Sequence, residues 1–396
     1  MRNDKLLTMH ETPELTFMLQ CIQSRASKHD TTVADDLIHW PFFYTLILKH
    51  RVWHHVHEAL THTAVPSLPS DIKHALTTHC RKDKQRLFIT AGETVRIARL
   101  LTKYAIPHCF IKGIVLNVLL YGALDTRPCR DIDIWVDTPV YARAVEALLA
   151  LGYLQQLPTY ALSGFKETYY LNHKHDLAFY HPTRHIVVEL HFRLSYFGLH
   201  FFPYARVKQK SVNLLNTPIT TLDDDYHLLY LILHGAIHAW TRLRWLNDIV
   251  LFIINKRCNL EHVVHLSKQL HCEHLVEQAL LLVNEFFTLE NPEFHLLIQN
   301  PSRRGLQLAR LAKQFIHSNY EMTDGLKNPV MFFTYRFYLT KIAVRGQKIQ
   351  AIWGDLFKID MIFPSFTFPT KLAFLYYLCY PFWVIIFIWR STIGRS

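Results

Sequence analysis

The segment Asp131-Ile-Asp-Ile-Trp-Val-Asp137 constrains the fold more than any other stretch of this chain. From Asp131 to Val136 it alternates polar and apolar, the period of a half-buried β-strand. Residues i and i+2 of a strand share a face. Asp131 and Asp133 therefore project together, while Ile132, Ile134 and Val136 face a core. The other long segments are mostly spaced like helices, so this strand belongs to a compact insert in a helix-rich chain.

Residues up to about 100 read as helices. Apolar residues recur at helical spacing from Leu37 to Leu60, and Val65-Pro-Ser-Leu-Pro-Ser70 breaks the pattern. Ser70 and Asp71 are good helix starters, and a long helix is expected from there past Leu100. Tyr104 to Ile111 reads as a short strand ending at Gly113, followed by a helix over Ile114–Tyr121 and a loop from Gly122 to Arg130. Thr138 and Pro139 open another helix, which Gly152 stops near Leu151. Glu167–Tyr180 and His185–Leu194 are strand candidates joined by His-Pro-Thr-Arg, which predicts a hairpin. Helices are expected from Tyr226 to Ile254 and onward to about Tyr320. Three to five strands are too few for a large doubly wound sheet, so the class is α+β. The expected divisions are 1–100, 101–220, 221–325 and 326–396.

Half of the 396 residues are apolar and 19% are charged, enough for a large core and too few charges for extended disorder. The net charge of +11 favours anionic partners. Lys and Arg are scattered, with no run of five, so no nucleic-acid-binding arm is indicated. The seven cysteines are widely spaced without a CxxC, which reads as reduced core thiols. The first residues contain acids and no long apolar run, unlike a secretory signal, and a cytoplasmic location is expected.

Two adjacent carboxylates repel, and a divalent cation or a basic partner relieves them. Mg²⁺ takes one or two carboxylates plus substrate phosphates, so the Asp pair suits a nucleoside triphosphate with Mg²⁺. A lone DxD is also common as a solvated strand edge. The surroundings argue for function. Lys112-Gly113 sits where a strand gives way to a helix, a place suited to close backbone approach and to phosphate. Arg127 and Arg130 lie in the loop before the Asp pair, where each could meet phosphate or pair with a nearby Asp. Further on, Val-Val-Glu-Leu-His-Phe-Arg-Leu194 places Glu189 on a strand with His191 on the same face. A third carboxylate beside the pair would complete a two-ion site; an exposed edge glutamate is the plainer alternative.

Together these residues carry a resemblance. The stretch Phe110–Val136 is similar to the uncharacterised nucleotidyltransferase family of the polymerase-β-like superfamily: a Lys-Gly after a strand, an Arg-containing loop, then a strand of alternating Asp and apolar residues. The Glu-Leu-His strand and the helical segment Leu228–Ile253, with two spaced histidines, an arginine and an aspartate, also resemble it. The similarity runs from about residue 30 to 300. It implies a small mixed β-sheet core between N-terminal and C-terminal helical regions, binding a nucleotide and Mg²⁺. Asp131 and Asp133 would be the first two metal ligands and catalytic residues, and Glu189 the third. Better-known superfamily members carry Gly-Ser at the nucleotide-binding helix. Here Lys112-Gly113 is followed by Ile114, so no serine hydroxyl is available for phosphate.

His234 and His238 stand at i and i+4 on one helix face. They either bond structurally at a junction, line the nucleotide or acceptor pocket with Arg242, or hold zinc, although the glutamate of the zinc-protease helix is missing. The histidines at His54–His57 read as a solvated helix face. Leu372–Trp389 holds eighteen residues without a charge, at the lower limit for a membrane span. Its aromatic residues and Pro381 favour lying in a membrane interface, on the inner face, or packing on the protein. The expected activity is transfer of a nucleoside monophosphate from a nucleoside triphosphate to the hydroxyl of a sugar, small metabolite, peptide or protein. The alternative is a silent nucleotide-binding or scaffold protein at a membrane.

Overall fold

The strand over Asp131–Val136 lies at the centre of a seven-stranded mixed sheet. In the computed structural model, residues 12–23, 37–63, 65, 67–196, 199–318, 320, 325, 327–344 and 358–393 are described. Four helices come first: α1 (Pro13–Gln23), α2 (Trp40–His50), α3 (Trp53–His62) and α4 (Ser70–Lys103). The α/β region follows: β1 (His108–Phe110), α5 (Ile114–Tyr121), β2 (Asp131–Val136), α6 (Tyr141–Ala150), β3 (Leu154–Leu157), α7 (Gly164–His173), β4 (Asp176–His181), β5 (Ile186–His191), the short β6 (Ser195–Tyr196) and β7 (Leu199–His200), β8 (Gln209–Leu214) and β9 (Thr217–Leu222). Helices α8 (Asp224–Ile237), α9 (Leu243–Ile254), α10 (Leu260–Gln269), α11 (Glu273–Phe286), α12 (Pro292–Leu297), α13 (Arg303–His317), α14 (Pro329–Ile342) and α15 (Phe374–Ile393) complete the chain. The class is α+β, with helices flanking the sheet.

The sheet order is β3-β4-β5-β2-β1-β9-β8. β2 runs parallel to β5 and antiparallel to β1, and β6 and β7 form a separate ribbon. Side-chain alternation splits the buried residues between two cores. Phe110, Ile132, Ile134, Val136, Val188 and Leu190 point to one face, covered by α5, α6 and the second half of α4. Cys109 and Trp135 point to the other, toward the α-helical layer. That layer is one core shared by α1–α3 and α8–α14, so the helices before and after the sheet pack together. α4, about 51 Å long at 1.5 Å per residue, joins both: Leu76 and Cys80 enter the helical core and Leu87–Leu101 the sheet core.

Several local expectations differ from the fold. The main sheet has seven strands, not three to five. β3 was missed because all four of its residues are exposed, which leaves no hydrophobic alternation. The β8–β9 hairpin was missed because it turns on Leu215-Asn216, both in left-handed conformation (φ 49° and 58°), without the glycine that usually marks such a turn. Residues 167–173, expected as strand, are the end of helix α7. Its Tyr169 is buried against Ile359 and Phe363 near the C-terminus, so tertiary packing decides over the β preference of aromatic residues. The β4–β5 hairpin stands as expected. His54 and His55 are buried rather than solvated. His54 Nε2 bonds Asp83 Oδ2 at 2.9 Å, and His55 shares a network with Tyr121 and Asn247.

None of the seven cysteines is joined in a disulfide. No helix among the described residues is long and apolar enough to cross a membrane. α15 packs Tyr376 and Tyr380 onto Ile359, Ile362 and Phe363, and exposes Phe374, Leu378, Phe382, Ile385 and Ile386.

Candidate active site

The register between β2 and β5 sets Asp133 directly opposite Glu189. Parallel strands in that register put both carboxylates on the same face, and two residues on, His191 emerges beside them. Ligand atoms of Asp133, Glu189 and His191 lie within 4.8 Å of one another. His191 Nε2 is 3.3 Å from Asp133 Oδ1 and 3.6 Å from Glu189 Oε2. Asp133 is only 2% exposed, whereas the Glu189 side chain is 33% exposed, so the group opens to solvent on the glutamate side. Burial acts to raise the Glu189 carboxyl, but the His191 imidazole and the Lys112 charge outweigh it and hold the group below its usual value.

Lys112 Nζ reaches Asp133 Oδ1 at 2.7 Å. The lysine expected to meet phosphate is thus the present counter-ion of the central aspartate. Gly113 caps α5 with φ 64°, and a Cβ there would lie 3.1 Å from the Asp131 carbonyl oxygen. The glycine serves a close approach between the α5 start and β2, within the protein itself.

Asp131 points to the same face as Asp133 but stands outside the compact trio, one pleat earlier and opposite Val187. It acts electrostatically on Glu189. The expected set of Asp131, Asp133 and Glu189 is therefore not gathered as such; His191 takes the third place. The i, i+2 relation of Glu189 and His191 in the sequence held that information, but only the β2–β5 register joined it to Asp133.

Arg127 is buried, with Nη1 3.5 Å from the Gly113 carbonyl oxygen and the rest of its guanidinium turned to the helical layer. It is 3% exposed and forks onto Asp248 of α9, with Nε to Oδ1 and Nη2 to Oδ2 both 2.8 Å. Burial would lower the guanidinium, and the Asp248 charge and hydrogen bonds more than reverse this. Asn117, fully buried on α5, donates to the Arg127 carbonyl and accepts from the Thr126 and Arg127 amides, which pins the loop leading into β2. Arg130 is exposed just before β2 and acts on His79 of α4. His234 and His238 meet at a ring distance of 4.5 Å and both contact Trp245, which Arg242 covers from 5.4 Å. Burial, with Lys112 the next cause, keeps His238 neutral by lowering it to about 3, and lowers His234 strongly too. Their shared neighbour Lys112 ties them to the carboxylate site.

Residues 36–288 match the family described as uncharacterised nucleotidyltransferase, well over half the chain. The chain belongs to this nucleotidyltransferase family. The match takes in β2, β5, Lys112, His234, His238 and Asp248. A solved structure described as an antigenic nucleotidyltransferase-like protein from Paracoccidioides brasiliensis is 15% identical, covers 55% of this chain and 94% of its own, and has a TM-score of 0.32. No curated protein matches the chain. Nucleotidyl transfer is the activity class of the family, and the Asp133–Glu189–His191 face is where this member gathers groups able to hold a metal.

Proposed function

We propose that this nucleotidyltransferase, of polymerase-β-like type, moves a nucleoside monophosphate from a nucleoside triphosphate to an acceptor hydroxyl on a sugar, small metabolite, peptide or protein. The observation that carries the reading is Asp133 facing Glu189 in register, with His191 between them and Glu189 open to solvent. Two carboxylates and an imidazole at that spacing fit a divalent cation, Mg²⁺ or the more nitrogen-tolerant Mn²⁺. Such a cation would offset phosphoryl charge and make the acceptor hydroxyl more acidic.

The remaining roles follow from the residues. Asp133, Glu189 and the His191 imidazole would hold the ion. Asp131, the next acid outward on the same face, is placed to serve a second ion or to accept the hydroxyl proton. With an ion on Asp133, Lys112 would be free to meet phosphate oxygen, and the exposed Arg130 would add positive charge beside β2. A bond forms between the acceptor oxygen and the α-phosphorus, the α–β bridge breaks, and pyrophosphate leaves.

Titration with ATP, GTP, CTP and UTP in Mg²⁺ or Mn²⁺, together with a pyrophosphate-release assay, tests this. Wild type should bind at least one triphosphate and release pyrophosphate with an acceptor. Asp133→Asn and Glu189→Gln should lose turnover by two orders of magnitude or more, about 3 kcal/mol of barrier. Metal-dependent binding that both variants retain in full would refute the assignment.

A second reading has its own support: the 2.7 Å Lys112–Asp133 pair could stand permanently in place of a metal. The protein would then bind nucleotide without turnover and act as a scaffold. The apolar stripe of α15 would hold it on the inner face of a membrane. Liposome flotation that Phe382→Asp abolishes, with no pyrophosphate release by wild type, favours this reading. Turnover refutes it.

A further inference from the structure

The compact group on the sheet face differs from the expected set in its third member: a nitrogen stands where a carboxylate was expected. His191 Nε2 lies 3.3 Å from Asp133 Oδ1 and 3.6 Å from Glu189 Oε2, so it borders the gap between the two acids. Among the described residues, neighbouring positions on that face bring no third carboxylate into the group. Trp135 stands opposite His191 on β2, and Ala178 opposite Glu189 on β4. Asp176, opposite His191 on β4, has its Oδ1 3.2 Å from His175 Nε2. Asp131 lies one pleat further along β2, opposite Val187.

Donor type, spacing and access to water together bear on which ion such a set takes. Mg²⁺ is a hard ion that takes oxygen, whereas imidazole suits divalent transition ions, with affinity rising from Mn²⁺ toward Zn²⁺. Two ligands each about 2.1 Å from an ion stand about 3.0 Å apart at the right angles that Mg²⁺ demands, and about 3.4 Å apart at tetrahedral angles. The separations of 3.3 and 3.6 Å from Nε2 are nearer the wider spacing. Mg²⁺ also gives up its waters reluctantly. Asp133 is 2% exposed and His191 1%, while the Glu189 side chain is 33% exposed. An ion entering past Glu189 must therefore shed water on the side of Asp133 and His191. Lys112 Nζ, 2.7 Å from Asp133 Oδ1, offsets one carboxylate charge, which leaves more of the binding to the donor atoms themselves.

We infer that His191 makes this centre selective for a nitrogen-accepting divalent ion of the Mn²⁺ to Zn²⁺ series over Mg²⁺, with Nε2 as a direct ligand. This selectivity rests on the ion site of the nucleotidyl-transfer reading, and not on which acceptor the protein uses. His191 is then a specificity-determining residue: it chooses the ion, while Asp133 and Glu189 supply the negative charge that any divalent ion needs.

The metal alone is the probe, without nucleotide. Mn²⁺ suits the test because, of that series, it binds scattered histidines most weakly, and the chain has 26. Calorimetry with the chlorides of Mn²⁺ and Mg²⁺ measures affinity, and pulsed electron paramagnetic resonance of the Mn²⁺-loaded protein detects nitrogen bonded to the ion. Wild type should bind Mn²⁺ about tenfold or more tightly than Mg²⁺ and show a nitrogen coupling. His191→Asp, which returns an oxygen donor, should lose the coupling and narrow the preference about threefold or more. The two wild-type measurements decide the matter even where that variant fails to fold. Wild-type Mn²⁺ without nitrogen coupling, Mg²⁺ bound as tightly as Mn²⁺, or a coupling and preference that His191→Asp leaves unchanged would each overturn the selectivity. Pyrophosphate release with Mg²⁺, by a protein whose Mn²⁺ form lacks the coupling, would remove the selectivity and leave the transfer reaction standing. Nitrogen-coupled Mn²⁺ without any pyrophosphate release would count against the transfer reaction alone.

Discussion

Replacing Asp248 by Asn should unfold this protein far more readily than its distance from the carboxylate site suggests. Asp248 is fully buried and takes a two-point contact from Arg127, itself 3% exposed. Removing one partner of such a pair leaves an uncompensated buried charge, which costs about 3–5 kcal/mol. The cost is local as well as global. The Arg127 backbone is held by Asn117, and the loop it belongs to leads directly into Asp131. Urea denaturation followed by tryptophan fluorescence measures the loss. The decisive variant is the double replacement Arg127→Met/Asp248→Leu. Replacing a whole buried pair by apolar residues of similar size is neutral or stabilising by about 1–4 kcal/mol. If Arg127 is purely structural, the double variant should regain wild-type stability and wild-type affinity for the triphosphate. If Arg127 contacts phosphate, the double variant should fold but bind nucleotide poorly. A cost under about 1 kcal/mol for Asp248→Asn, or a double variant no more stable than the single one, would refute the reasoning.

Two further outcomes follow from buried groups. His227 is fully buried, donates to the Ile111 carbonyl at 2.7 Å, and is held at about 3, first by burial. The unfolded chain takes up a proton there near pH 6.5 and the folded chain does not, so stability should fall as pH drops from about 6.5 toward 3, by up to about 1.4 kcal/mol per unit. Urea midpoints at pH 7 and pH 5 check this, and a His227→Gln variant with an unchanged pH slope would contradict it. Gly235 lies under the Trp240 ring, where a Cβ would come within 2.4 Å of the indole. Gly235→Ala should destabilise by about 1–3 kcal/mol through overpacking, despite about 1 kcal/mol gained in helix propensity. Thermal denaturation reads the result, and a variant as stable as wild type would show that the indole moves freely.

Not every element was equally legible. α5 and β2 were expected at Ile114–Tyr121 and Asp131–Val136 and occur there. Both carry strong, local patterns: an apolar helix bounded by Gly113 and Gly122, and strict alternation. α7 was misread because Tyr169 and Tyr170 favour strands by local preference, whereas Tyr169 packs on a C-terminal segment nearly two hundred residues away and Tyr170 on the sheet core. His54 and His55 were misread because nothing near them in sequence announces Asp83 and Tyr121 as partners. At the site, Asp133 and Glu189 were read correctly as neighbours, and Lys112 and Arg127 were read as phosphate contacts. Their actual partners, Asp133 and Asp248, lie 21 and 121 residues away.

The sequence by itself determined which residues could share a face. Period-two alternation put Asp131 with Asp133 and Glu189 with His191, and no folding partner was needed to know it. It also determined the family, through motifs whose spacing is local. Only the tertiary structure decided which carboxylates meet and which cations are already spent. Strand register brought Glu189 to Asp133 and left Asp131 outside the trio, while the docking of α9 paired Arg127 with Asp248. The physical reason is that a buried charge must be met by whatever group lies beside it in space, and distance along the chain does not enter that requirement.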